Sequence, residues 1–296
     1  MKYKLISLLS IFVAFSSFAQ VSLSEADKML SDENRYSECL SALEKTVPSV
    51  TDTKQQAEYY WRMALACVLI GEKQPDKASM QAVFGKGIGY ADKAIAADPS
   101  NHLGYMWHCA NVGRECQTHS LPEQVKALPK MNSDLETILN KLGRTDCFEA
   151  WQALAEIYYN HPFKSNDTAI NYTRKSVDVL PGGVMPLYLY SFLAKMIYER
   201  GWNASKRQSD LAKKELKAKG SFKTNIDACE YYEGTLGASH VPVWSGGRTL
   251  GEMTDREEAE AIINYAIASY EASKVKSTAN DRELKAIKEY LSKLKK

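Results

Sequence analysis

Four groups of residues in this 296-residue chain have side chains that chemistry commonly uses. The loop Ser239-His240-Val241-Pro242-Val243-Trp244-Ser245-Gly246-Gly247-Arg248 sets a serine beside a histidine, the pair from which a hydrolase builds its nucleophile. It lacks a G-x-S-x-G elbow, and no acid stands at a triad-like spacing, so it reads as a loop that contacts a ligand or plugs a groove, with Trp244 as its anchor. His102, His108 and His119 share no i,i+4 spacing, and there is no C-x2-C or H-E-x-x-H. They read as polar surface or capping histidines, and no metal is expected. Gly85, Gly87 and Gly89 form a G-x-G-x-G run, but no strand precedes it and no Lys-Ser/Thr follows, so close helix packing or a kink is expected instead of a phosphate loop. Glu149, Glu156 and His161 are the remaining acid–base candidates. Nothing here assembles a reaction; the expectation is a non-enzyme without cofactor, metal or catalytic residue.

The elements that would position these residues start after a leader. Lys2 and Lys4 precede the apolar run Leu5 to Phe18, and Ser17-Phe18-Ala19 is a small-x-small signal. This predicts a secretory signal peptide cut after Ala19, and a periplasmic or secreted protein with no membrane span once it is removed. The full chain has 38 basic and 36 acidic residues; without Lys2 and Lys4 the two balance. That argues against a general nucleic-acid or anionic-membrane binder. Cys39, Cys67, Cys109, Cys116, Cys147 and Cys229 are scattered among apolar helical positions, which predicts buried free thiols and not a disulfide framework.

From Phe148 to Pro181 the sequence has the grammar of a helix pair. Trp151, Leu154, Ala155 and Tyr158 stand at W-x2-L-small-x2-Y spacing, and Ala169 precedes Pro181 as a second-helix alanine precedes a closing proline. The small residues let two helices approach, the large ones fill the space between them, and proline ends the second. This spacing resembles the tetratricopeptide (TPR) repeat. Similar pairs are predicted on both sides. They comprise a short hairpin over Ser24 to Thr46, Asp52 to Ile70 (capped by Gly71) with Asp76 to Ala97, Asn101 onward with Leu121 to Leu142, and Met185 to Arg200 with Asn203 to Lys219. Beyond Gly220 the pattern fades into a Gly-rich loop, a capping box at Thr254-x-x-Glu257, and two last helices. The expected fold is all-α, a TPR-like right-handed superhelix of antiparallel pairs over 20–220. A Gly-rich loop and helical cap over 221–296 pack on the same domain.

The segments YADKAIAADPSN, HLGYMWHCANVGR, LETILNKLGRTD, AWQALAEIYYNHP, NYTRKSVDVLPG and LAKMIYERG, between Tyr90 and Gly201, resemble one TPR-like group. It includes the regulator of microtubule dynamics proteins and the periplasmic TPR component associated with TRAP transporters. The resemblance implies an all-helical, non-catalytic binding scaffold. No microtubule or transporter role is carried over with it.

In a TPR solenoid, slots 2, 5, 9 and 12 of each first helix face the concave side. Those slots give Glu58, Trp61, Leu65 and Val68; Trp107, Asn111 and Arg114; Glu149, Gln152, Glu156 and Tyr159; and Tyr188, Ser191, Lys195 and Tyr198. The binding candidates are Trp61, Trp107, Asn111, Arg114, Gln152, Glu156, Tyr159, Tyr188, Lys195 and Tyr198. A tightly closed superhelix, or C-terminal helices that fill the groove, would make Trp61, Trp107, Tyr159 and Tyr198 core instead. Such a face suits a protein or peptide partner. The alternative is an accessory of a solute-uptake system that encloses a small apolar molecule or lipid. An open groove would support the first, a closed aromatic channel the second.

Overall fold

The computed structural model describes residues 20–32, 35–161, 164–182, 185–273 and 278–294. The predicted leader, 1–19, lies outside them. The described residues contain helices and no strand. No helix among them is long and apolar enough to cross a membrane.

The chain opens with α1 (Leu23–Leu30) and α2 (Tyr36–Thr46). Ala26, Met29, Cys39, Leu40 and Leu43 are buried between this pair and α3 (Thr53–Gly71). Arg62 on α3 ties the hairpin down by a two-pronged bond to Asp27, at 2.7 and 3.0 Å. Helix α3 starts at Asp52, whose carboxylate accepts from the Gln55 amide, and α4 (Lys77–Ala97) starts at Asp76 in the same way. These side chains satisfy amides that the first turn leaves without a partner. The two helices are joined by five residues and pack along their lengths, as an antiparallel pair does. Gly71 is the last residue of α3 and not a left-handed cap. A Cβ there would fall 2.3 Å from the Phe84 ring, so its role is to let α4 close in.

Next come α5 (His102–Cys116) and α6 (Leu121–Glu136), the latter widening into a π turn, Thr137–Lys141, before Gly143 at φ +66°. The glycine run resolves to one requirement. A Cβ at Gly87 would meet Asn111 Oδ1 at 2.0 Å, whereas Gly85 and Gly89 face open space and α4 continues through them.

Helices α7 (Phe148–Asn160) and α8 (Asn166–Asp178) form the pair read most clearly from sequence. Trp151, Leu154, Ala155 and Ala169 are buried. Trp151 donates to the Thr145 carbonyl at 2.9 Å and stacks on Tyr172, which Tyr158 meets edge-on at 5.1 Å. Tyr172 is the large aromatic that fills this pair.

The fourth pair differs from expectation. Helix α9 (Leu187–Arg200) does not take α10 (Ala204–Ala218) as its mate; it packs along α13 (Asp255–Ala272). Leu189, Tyr190, Leu193, Ala194 and Ile197 of α9 share one core with Ile262, Ile263, Ala266 and Tyr270 of α13. Between them, α10 turns aside to pack with α12 (Tyr232–Leu236), after the short α11 (Asn225–Cys229). The reason lies in composition. From Ala259 to Ala266 the inward stripe of α13 is aliphatic, whereas the buried positions of α10 are Arg207, Leu211 and Lys214. An apolar α9 face gains more from the former. Helix α14 (Thr278–Leu294) then lies against both α9 and α13. The expected boundary near 220 therefore cuts through a helix pair whose second member is α13.

Charge holds the inserted α10–α12 segment. Arg174 (α8), Arg200 (α9), Arg207 and Lys214 (α10) interlock with Asp167 (α8), Glu233 (α12), Asp255 and Glu258 (α13). Arg174, Arg207, Glu233, Asp255 and Glu258 are each no more than 3 % exposed. Burying so many charges is tolerable only because each has opposite charges and hydrogen bonds around it.

Candidate functional site

Two of the predicted face positions on the N-terminal side, Trp61 and Asn111, serve packing. Trp61 is buried, donates to Glu58 Oε2 at 3.0 Å and carries the Arg62 guanidinium over its ring at 4.0 Å. Asn111 is fully buried, and its amide nitrogen bonds the carbonyls of Ala64 and Trp107 at 3.0 and 2.7 Å. It is a tie between α5 and α3 and offers no surface to a partner. Trp107 is half-buried, with an indole nitrogen that has no partner among the described residues. Arg114 is partly exposed and paired with Glu72 at 2.7 Å.

The positions on α7 and α9 do converge. A cleft of about 370 Å³ opens over α9, walled by α7 on one side and α14 on the other. Its lining includes Glu156, Tyr188, Ser191, Phe192, Lys195 and Tyr290. Tyr188 donates to Gln152 Oε1 at 3.0 Å, and Gln152 donates to Glu156 at 2.8 Å. Tyr159 donates to Glu199 at 2.7 Å, with Phe192 edge-on beside it and the Lys195 ammonium over its ring at 5.3 Å. Tyr198 meets Tyr290 edge-on, and Ser191 donates to Glu283 at 2.9 Å. Thus Gln152, Glu156, Tyr159, Tyr188, Lys195 and Tyr198 form one connected surface. Helix spacing explains it: residues three or four apart share a face. Helix α14 supplies the second wall and leaves the space over α9 open.

The cleft is partly desolvated. Tyr188 keeps 42 % of its surface exposed, yet burial of the phenol against the walls, with Glu149 and Glu156 near, pushes it up to about 12. Arg114 opposes that shift in part and is not among the residues that line the cleft. Burial, with Glu199 nearby, also pushes Tyr290 up to about 12. Burial raises the Glu149 carboxyl above the ordinary carboxylate range. A larger hollow, about 520 Å³, runs along α14 alone. It is the outer flank of one helix, with no second wall to converge on a ligand.

The other chemical candidates find structural partners. His108 is buried rather than superficial. Its Nδ1 lies 2.6 Å from Asp134 and its Nε2 3.5 Å from Asp92, so it links α4, α5 and α6. His102 accepts from Arg144 at 2.8 Å, and burial lowers its basicity. Trp244 anchors the Gly-rich loop on α13, with its nitrogen 3.3 Å from Glu258 and its ring against Tyr265. That loop contributes nothing to the lining of the cleft. All six cysteines are free. The Lys214 ammonium sits 2.7, 2.7 and 2.9 Å from Asp167, Glu233 and Asp210. Those three carboxylates are grouped closely enough to hold a cation, and the lysine supplies it.

Sequence reasoning expected a last helix near the groove but missed the buried ion cluster and the α14 residues, Glu283, Ile287 and Tyr290, that wall the cleft. Arg174 had a visible signal: it lies between Ile170 and Val177 on the stripe that α8 buries. Residues of α14 had none, because their place depends on α13 bypassing α10.

No curated protein matches the chain. Residues 22–139, from α1 into the π turn that follows α6, match the family model described as regulator of microtubule dynamics protein 1-3. That stretch of the chain is similar to that family, and the α7–α9 face with its cleft lies beyond it.

Proposed function

We propose that this chain is an exported, non-enzymatic helical-repeat scaffold that captures a protein or peptide on the face formed by α5, α7 and α9. The observation that carries this reading is the open cleft over α9, where side chains from α7, α9 and α14 converge. Its mixed aromatic and polar lining suits side chains of an extended segment better than a purely apolar molecule. The similarity of residues 22–139 to the regulator of microtubule dynamics family supports a scaffold, and no microtubule role is taken from it. The carrier alternative requires an enclosed apolar cavity, and an open, hydrogen-bonded cleft does not favour it.

Export rests on the residues before Gln20. Fusing residues 1–19 to a reporter active only outside the cytosol should yield activity; none would remove that part of the proposal. For the partner, a photo-crosslinking side chain at Tyr188 should trap protein in living cells. The same group at Leu216, an exposed position on α10 away from the cleft, should not. Equal trapping at both sites would refute a concave-face partner.

A further inference from the structure

The cleft also has a charge preference. Glu156 and Glu283 stand on its opposite walls, α7 and α14. The partner of Glu156 is the neutral Gln152 amide, and that of Glu283 is the neutral Ser191 hydroxyl. No cation among the described residues pairs with either. Glu149, just beyond Tyr188, is likewise without a cation and is held in a desolvated site. The two cations at this face each have partners other than Glu156 and Glu283. Arg114 is held by Glu72 at 2.7 Å, and Lys195 lies over the Tyr159 ring and 3.9 Å from Glu199. Tyr188, Phe192, Ile287 and Tyr290 line the cleft together with the two carboxylates. Aromatic faces next to carboxylates attract a cation with a carbon stem, because the ring quadrupole and the acids act in the same direction.

We infer that the cleft takes the side chain of an arginine or lysine from its partner. The stem would lie against Tyr188, Phe192 and Tyr290, and the charged head between Glu156 and Glu283. This deepens the peptide-capture reading and rests on it. A volume of about 370 Å³ accommodates one long side chain with a flanking residue.

The test is selection of a randomised heptapeptide display library on the full chain, side by side with Glu156→Gln/Glu283→Gln. Wild-type binders should be enriched in arginine or lysine, and their affinity should fall as salt rises. The double variant should bind the same peptides about tenfold or more weakly, as loss of charge-assisted bonds implies. Lys195→Ala should bind them as well or better. Circular dichroism confirms that each variant is folded.

Acidic or charge-indifferent binders would overturn the inference. If Tyr188→Ala abolished binding of those peptides, the concave-face reading would survive without it. Full retention by the double variant would also overturn the inference. Arginine methyl ester binding as tightly as the peptides would replace the peptide side chain with a small free cation. Failure to select any peptide would sink both this inference and the peptide-capture reading.

Discussion

Arg174 grips Glu258 with both terminal nitrogens, at 2.9 and 2.7 Å, across 84 residues of sequence. Neither side chain has meaningful access to water. Arg174 also reaches Glu233 at 2.8 Å, and Glu258 also receives Arg207 at 2.6 Å. Removing one member leaves its partners buried with unbalanced charge. Arg174→Met should therefore cost about 3–5 kcal/mol. Urea denaturation should show a lower midpoint, with binding at the α9 cleft affected only through lost folding.

The same cluster sets the acid response. Burial alone would raise Glu258, but Arg174 and Arg207 outweigh it and hold the carboxyl at about 2, against an ordinary 4.5. Glu233 is likewise held well below its ordinary value, with burial overcome by Arg200, Lys214 and Arg174. A carboxyl depressed in the folded state contributes stability above its unfolded value, and that contribution fades as pH falls through the folded value. Stability should fall steeply between about pH 4.5 and 2. Urea midpoints measured across that window should show a shallower slope for Glu258→Gln. An unchanged slope would mean that other carboxylates govern acid unfolding.

Lys214 offers a local version of this argument. Its ammonium is the only cation within 3 Å of Asp210, Asp167 and Glu233 together among the described residues. Lys214→Met keeps the stem and removes the charge, leaving grouped carboxylates that repel one another. The expected loss is about 3–5 kcal/mol. Thermal melts should show it as a fall of several degrees or more. Glu215→Gln, one residue along the same helix and outside the cluster, should shift the melt much less.

Legibility in the sequence followed periodicity. Trp151, Leu154, Ala155, Tyr158 and Ala169 announced the α7–α8 pair, because apolar spacing at helical period survives without knowledge of neighbours. The pairing of α9 with α13 was not legible from spacing, since adjacency in the chain pointed to α10 and only tertiary packing decides between them. Arg174, Arg207 and Glu258 were hidden by a default that places charged side chains outside. On the face, Tyr188 and Lys195 were found because slots on one helix need no other information. Trp61 and Asn111 occupy equivalent slots but are covered by Arg62, Gly87 and the α3–α5 contact.

The three glycines of α4 should separate cleanly. Gly87→Ala puts a methyl 2.0 Å from Asn111 Oδ1, and the buried amide is held by two carbonyls and cannot swing away. That overpacking should cost about 1–3 kcal/mol. Gly85→Ala and Gly89→Ala meet nothing and should stabilise the helix by up to about 1 kcal/mol each. Chemical denaturation of the three single variants is a direct comparison. Equal effects at all three positions would contradict the Gly87–Asn111 contact.

Thiol chemistry gives an independent check on burial. Burial pushes Cys39 up to about 11 and Cys67 and Cys147 up to about 12, which suppresses their thiolates at neutral pH. Cys116 is the one thiol that is not fully buried. Folded protein should react promptly with a disulfide reagent at no more than Cys116, and all six thiols should react after denaturation. Reductant should leave the melting temperature unchanged. A reductant-sensitive melt would reveal a disulfide where the structure has free thiols.

Truncations along the predicted face should sort into two classes. Asn111→Ala removes bonds to two buried carbonyls and should destabilise by about 1–3 kcal/mol. Trp61→Ala empties a packed site and should cost about 3–5 kcal/mol. Tyr188→Ala, by contrast, removes a side chain that is 42 % exposed and bonded to Gln152, so its effect on stability should stay below that of either buried change. Its effect on partner capture should be the largest of the three once protein is compared at equal folded fraction. The paired change Trp107→Ala with Arg114→Ala lies between these classes, since Trp107 is half-buried while Arg114 is at the surface. If that pair loses helical content, the α5 end of the face belongs to the core, and recognition is confined to α7, α9 and α14. If it folds normally but captures no partner, the binding surface extends from the α9 cleft to Arg114.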